Sequence, residues 1–127
     1  MKLYLLILLP ILFSCSSSKN ISQTNIEEIS FGSGGGFTGE IKTYKITADC
    51  QLFAQETELK KIEAKKTLEL FKQAQELKDL NFNEPSNMYS FIEIKTKKKT
   101  NRIVWNVGST IDNKIIDLYN NLTTITK

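Results

Sequence analysis

Residues 88–107 read MYSFIEIKTKKKTNRIVWNV, and this stretch decides the fold. Met88 to Thr96 alternates, with Ser90, Ile92 and Ile94 on one side and Tyr89, Phe91 and Glu93 on the other. Arg102 to Val107 carries Ile103, Trp105 and Val107 on one side. Successive side chains of a strand point to opposite faces, so each run offers one face to a core. Between them lies a polar stretch, Lys95-Thr96-Lys97-Lys98-Lys99-Thr100-Asn101. Two alternating runs about a polar turn predict an antiparallel hairpin, which Gly108 closes.

Outward from this hairpin the pattern changes period. Ile111, Ile115, Leu118, Leu122 and Ile125 recur at helical spacing and predict a closing amphipathic helix. Ser109 or Thr110 is placed to cap it, and Asp112 favours its N-terminus. On the other side, Asn81 to Asn87 contains Pro85 and breaks the chain. Before it, Glu58 to Leu80 carries Leu59, Ile62, Ala64, Leu68 and Phe71, widened by Leu70, Ala74 and Leu77, with lysines and glutamates elsewhere. That stripe predicts a second helix with one buried face. Glu40 to Ala48 alternates as a strand, with Tyr44, Ile46 and Ala48 opposite Thr43, Lys45 and Thr47. Asp49 to Gln51 reads as a turn, and Leu52 to Thr57 as a candidate return strand. Ile26, Ile29 and Phe31 mark a first short strand. The order is roughly ββ(β)αββα, which predicts an α+β domain: a small antiparallel sheet with two helices on one face.

Composition agrees with one domain. The chain has 127 residues, 40% hydrophobic and 24% charged. Seventeen basic and fourteen acidic residues leave a formal charge of +3, too small to argue for nucleic acid. Histidine is missing from the sequence, which removes the commonest general base and the commonest metal ligand. No internal repeat is visible.

Few residues are candidates for chemistry. Gly34, Gly36 and Gly39 fit the dinucleotide pattern GxGxxG by letter. That motif needs a helix N-terminus after it to hold a pyrophosphate, and Glu40 to Ala48 alternates as a strand instead. The cluster Gly32 to Gly39 is expected to supply positive φ, a bulge or a tight crossing. Its exposed alternative is a partner-binding loop built of Gly34, Gly35, Gly36 and Phe37. Lys97, Lys98 and Lys99, with Lys95 and Arg102, form the single basic cluster. At a hairpin tip they are a solvated turn that discourages edge pairing. Read functionally, they would touch anionic lipid headgroups or an acidic partner. The carboxylate pairs Glu27/Glu28 and Glu56/Glu58 lack calcium-loop spacing. Serines and lysines are too common here for a Ser–Lys dyad to stand out, and Trp105 and Tyr89 are expected to pack. No catalytic residue, metal ligand or cofactor site is nominated.

The N-terminus reads MKLYLLILLPILFSC. Lys2 is a positive start, and Leu3 to Phe13 is an apolar run broken only by Pro10. A spanning helix needs about 20 apolar residues, so this run describes a secretory leader rather than an anchor. Leu12-Phe13-Ser14-Cys15 followed by Ser16-Ser17-Ser18 resembles the lipobox of bacterial lipoproteins, although Phe13 is bulkier than usual two places before the cysteine. That resemblance implies a diacylglycerol on the Cys15 thiol, cleavage after residue 14 and acylation of the new amine, palmitate being a typical chain. Two or three chains are needed because a single one binds a membrane only marginally. The resemblance also implies a cell-envelope address. Ser16 replaces the aspartate that retains some lipoproteins in an inner membrane, so the outer membrane is favoured in a two-membrane cell. The organisation is therefore 1–14 leader, 15–25 lipidated cysteine and flexible tether, and 26–127 a single domain. With Cys15 lipidated, Cys50 has no intramolecular partner and is expected as a small, largely buried thiol.

The mature domain carries a second resemblance. Gly35-Gly36-Phe37-Thr38-Gly39, a following strand with Tyr44, a middle helix, a hairpin with Tyr89 and a closing helix ending near Leu122 are similar to the emfourin-like family of thermolysin-type protease inhibitors. The element order covers much of residues 29–122, while the letters rest on the glycine stretch. The chain departs from that family in carrying a lipid anchor, and no inhibitory residue is transferred. The expected function is a lipid-anchored, non-catalytic, monomeric binding domain whose partner is an envelope protein. In the alternative reading the partner is a protease.

Overall fold

A computed structural model describes residues 24–127; the leader, Cys15 and most of the tether lie outside the described residues. The elements are β1 (Ile26–Gly35), β2 (Lys42–Thr47), β3 (Gln51–Ala54), β4 (Thr57–Lys61), α1 (Ala64–Leu77), β5 (Met88–Thr96), β6 (Thr100–Asn106) and α2 (Asn113–Thr124). The α+β class and the antiparallel sheet are as the alternation predicts. The six strands are ordered β4-β3-β2-β1-β5-β6, each antiparallel to its neighbour.

Register explains the core. Directly opposed residues share a face, so Leu52, Ile46, Ile29 and Ile94 form one apolar row across the sheet. Tyr44, Phe31, Ile92 and Ile103 form the next row. Both helices lie across the central β1 on this face. Leu70, Phe71 and Ala74 of α1 and Ile115, Leu118 and Leu122 of α2 complete the core. The core is built from residues between Ile26 and Ile125, so the span carries its own hydrophobic interior. Trp105 meets Tyr119 edge-on at 5.1 Å between ring centres. The Tyr119 hydroxyl donates to the Gly32 carbonyl at 3.1 Å, tying α2 to the middle of β1.

Phe91 and Val104 are buried on the opposite face. The Arg102 guanidinium stacks 4.3 Å from the centre of the Phe91 ring. The segment around Asn83 pairs in parallel with Val104 and covers the outer edge of β6. Among the described residues no helix is long and apolar enough to cross a membrane.

Four local features differ from the sequence expectation. The helix over Glu58–Leu80 begins only at Ala64, because residues 57–61 form strand β4. Leu59 and Ile62 mimic helical spacing, yet Leu59 is exposed. The chain reverses at Gln55 and Glu56, whose φ values of 50° and 71° make the two-residue turn that suits a twisted hairpin. The first strand is longer than expected and runs into the glycine cluster as far as Gly35. At α2 the cap is Asp112, whose carboxylate accepts from the Lys114 amide at 2.9 Å. Ser109 instead donates to the Asn106 carbonyl. Finally, Cys50 is half-buried rather than largely buried, because it sits at φ 64° where the β2–β3 turn closes.

Candidate functional site

β1 runs the length of the sheet from one candidate loop to the other. Ile26 faces Thr96 beside the lysine turn, and Gly35 faces Met88 at the glycine loop. Ten residues at about 3.4 Å each put the two ends roughly 30 Å apart. The structure therefore does not bring Gly34, Gly35, Gly36 and Phe37 together with Lys97, Lys98 and Lys99. They are two separate surfaces.

The glycine end is held by backbone geometry. A Cβ on Gly35 would lie 1.7 Å from the Asn87 carbonyl oxygen, and its φ is +92°. The next amide, of Gly36, donates to that same oxygen at 2.8 Å. A side chain at Gly35 would occupy the space this approach requires. Gly36 and Gly39 also have positive φ, as the cluster predicts, and both face open space. The Gly39 amide donates to the Gly36 carbonyl at 3.3 Å, closing a β-turn with Phe37 and Thr38 at its centre. Phe37 is fully exposed at this tip. Gly34 is still within β1, and the Tyr89 ring lies over it, since a Cβ there would come within 2.8 Å of the ring.

Three more large apolar side chains are exposed at the same end. Ile41 follows the loop, Met88 opens β5, and Val107 ends the hairpin with its amide on the Met88 carbonyl at 3.0 Å. The Gln55 side chain donates to the Ile41 carbonyl at 2.8 Å and braces the loop from the β3–β4 turn. An open groove of ≈ 390 Å³ runs beside the loop between Ser33, Thr38, Met88, Tyr89 and Val107. Its lining mixes hydroxyl and apolar groups with one carboxylate, Glu40, and one amine, Lys42. A protruding ring beside a shallow groove on a braced sheet end is equipped for contact with another surface.

The lysine end is built differently. The Thr96 hydroxyl accepts from the amides of Lys98 (3.4 Å) and Lys99 (3.2 Å), which shapes the turn. The Asp79 carboxylate takes the amines of both Lys78 and Lys99. These two hydrogen bonds, that of Lys78 first, hold its pKa down at about 2. The Asn101 side chain on β6 donates to the Leu80 carbonyl at 2.7 Å, just past α1, and to the carbonyl of Leu77, the last helical residue, at 3.4 Å. Lys97 and Lys98 occupy the apex of the turn and make no ion pair among the described residues. Asn25, where the tether joins the domain, lines the same groove as these lysines.

Among the described residues there is no cluster of three His, Cys, Asp or Glu able to hold a metal ion. No serine hydroxyl there hydrogen-bonds a lysine amine. Sequence reasoning missed Ile41 and Met88 as surface residues and placed Val107 with the buried Ile103 and Trp105. β6 ends at Asn106, so Val107 leaves the sheet before it can turn inward. It also missed Asp79, whose signal was only a lone carboxylate at a helix end. Compared with family models, curated proteins and solved structures, the chain matches none of them.

Proposed function

We propose that this chain is a lipid-anchored cell-envelope lipoprotein whose mature domain binds an envelope protein and catalyses no reaction. The leader and Cys15 carry the anchoring part of the reading, and Ser16 favours an outer-membrane address in a two-membrane cell. One observation carries the binding part. Phe37, Ile41, Met88 and Val107 are exposed together at the sheet end opposite the point where the tether enters. Large apolar side chains gathered at one end of a small domain mark an interaction surface. That end is the far end of β1 from Asn25, where the tether joins the domain.

The test is capture from solubilised envelopes with residues 16–127 as bait. A partner should be retained by the natural domain and lost by Phe37→Ser, while Leu59→Ser on the exposed edge strand β4 keeps it. Equal capture by all three baits removes the tip from the account.

A second reading, a membrane-tethered inhibitor of a thermolysin-type protease, is favoured by one feature. The Gly35–Gly39 stretch that carries the family resemblance is the loop that projects Phe37, a shape able to enter a cleft. Inhibition of peptidase activity by the domain, relieved in Phe37→Ser, supports it. Undiminished activity at large excess discards it.

A further inference from the structure

We infer that the lysine turn is a docking surface for anionic lipid headgroups, which seats the domain on its own membrane with the Phe37 tip outward. The inference rests on the Cys15 anchor and goes beyond it, since an anchor alone leaves the domain free to tumble.

The placement comes from topology. Asn25 lines one groove with Lys78, Lys97, Lys98 and Lys99. Ten residues, 16–25, separate Cys15 from the first strand, and even fully extended they reach at most about 35 Å. The lysine end is therefore always within that distance of a bilayer holding Cys15. The glycine end lies roughly 30 Å farther along β1.

The charges at this end are not equivalent. Lys95 stands opposite Glu28 in the β1–β5 register, and Lys78 and Lys99 share Asp79. Glu27, Glu28 and Asp49 line a neighbouring groove toward β2, which Lys97 also lines. Lys97 and Lys98 remain at the apex with their amines uncommitted. Held close to a negatively charged surface, each such amine raises occupancy of the docked state roughly fivefold. Salt weakens this attraction, because at ~1 M the screening length falls to about 3 Å.

The full lipidated chain tests this in two kinds of vesicle, phosphatidylcholine alone and equal parts phosphatidylcholine and phosphatidylglycerol. Amines are acetylated briefly, and each lysine's rate is read by peptide mass spectrometry. On anionic vesicles Lys97 and Lys98 should react at least roughly fivefold more slowly than on neutral ones, since the two amines act together. Lys42 at the glycine end should react equally on both, and high salt should erase the difference. Equal rates at Lys97 and Lys98 on both vesicles overturn the docking while leaving the anchor intact. A chain that fails to float even with neutral vesicles overturns the anchor, and the seated orientation with it.

Discussion

Two adjacent glycines separate steric from conformational demands at the glycine loop, and their alanine variants should differ sharply. Gly36→Ala places a side chain at φ +85° with nothing within 4 Å. Its cost is conformational, about 1–2 kcal/mol for an L-residue in the left-handed region. Gly35→Ala carries the same penalty at φ +92°, and its Cβ would also lie 1.7 Å from the Asn87 carbonyl oxygen. The end of β1 must move away from β5. That movement stretches the 2.8 Å hydrogen bond from the Gly36 amide to Asn87, worth about 1 kcal/mol. Overpacking of this kind adds about 1–3 kcal/mol. Urea unfolding of residues 16–127, followed by the fluorescence of Trp105, should therefore rank natural above Gly36→Ala above Gly35→Ala. The second step should be at least as large as the first. A domain of this size loses about 4–8 °C of melting temperature per kcal/mol, so the ranking is readable by heat as well. Gly35→Ala no worse than Gly36→Ala would refute the close approach of β1 to Asn87.

Three further outcomes follow from other parts of the molecule. Phe37→Ser should leave stability within about 0.5 kcal/mol of the natural domain, because the ring packs on nothing, while weakening partner binding by roughly thirtyfold if the ring is the anchor of the contact; unfolding and capture measured on one preparation check both. Asn101→Ala should destabilise by about 1–2 kcal/mol, since it frees the Leu77 and Leu80 carbonyls where α1 ends and the chain leaves it, and urea titration reads it. The Asp79 carboxyl should titrate at about 2 in the folded domain against 3.8 when unpaired; its depressed pKa means that the Lys78–Asp79–Lys99 contribution is present above about pH 4 and lost as pH falls toward 2, so a carboxyl NMR midpoint near 4, or one unmoved by Lys99→Gln, contradicts the shared ion pair.

The hairpin at residues 88–107 was legible because strict alternation leaves no other period to fit. The closing helix was legible for the complementary reason, five apolar residues at helical spacing. β4 was not. Its residues Glu58, Leu59, Lys60 and Lys61 bury nothing, so no face betrays a strand. Its turn is made by Gln55 and Glu56, which carry positive φ without the Asn or Gly that announces such a turn. The neighbouring turn at residues 49–51 was legible, although Cys50 gives no sign of the positive φ it adopts there. The separation of the two candidate loops was beyond any local pattern, since it depends on β1 pairing with β5, from Gly35 opposite Met88 to Ile26 opposite Thr96, far apart in the chain. The exposed tip was half visible. Phe37 stood out among glycines, whereas Met88 and Val107 read as members of alternating strands and are exposed only because those strands begin and end beside them.

Residence on a membrane through Cys15 is the premise from which the outward tip and the seated lysine turn both follow. Intact-mass analysis of the protein made in its native host addresses it directly. The predicted species begins at Cys15 and carries a diacylglyceryl group with or without a further acyl chain. A chain that retains residues 1–14, or one that starts at Cys15 with a free thiol, contradicts it.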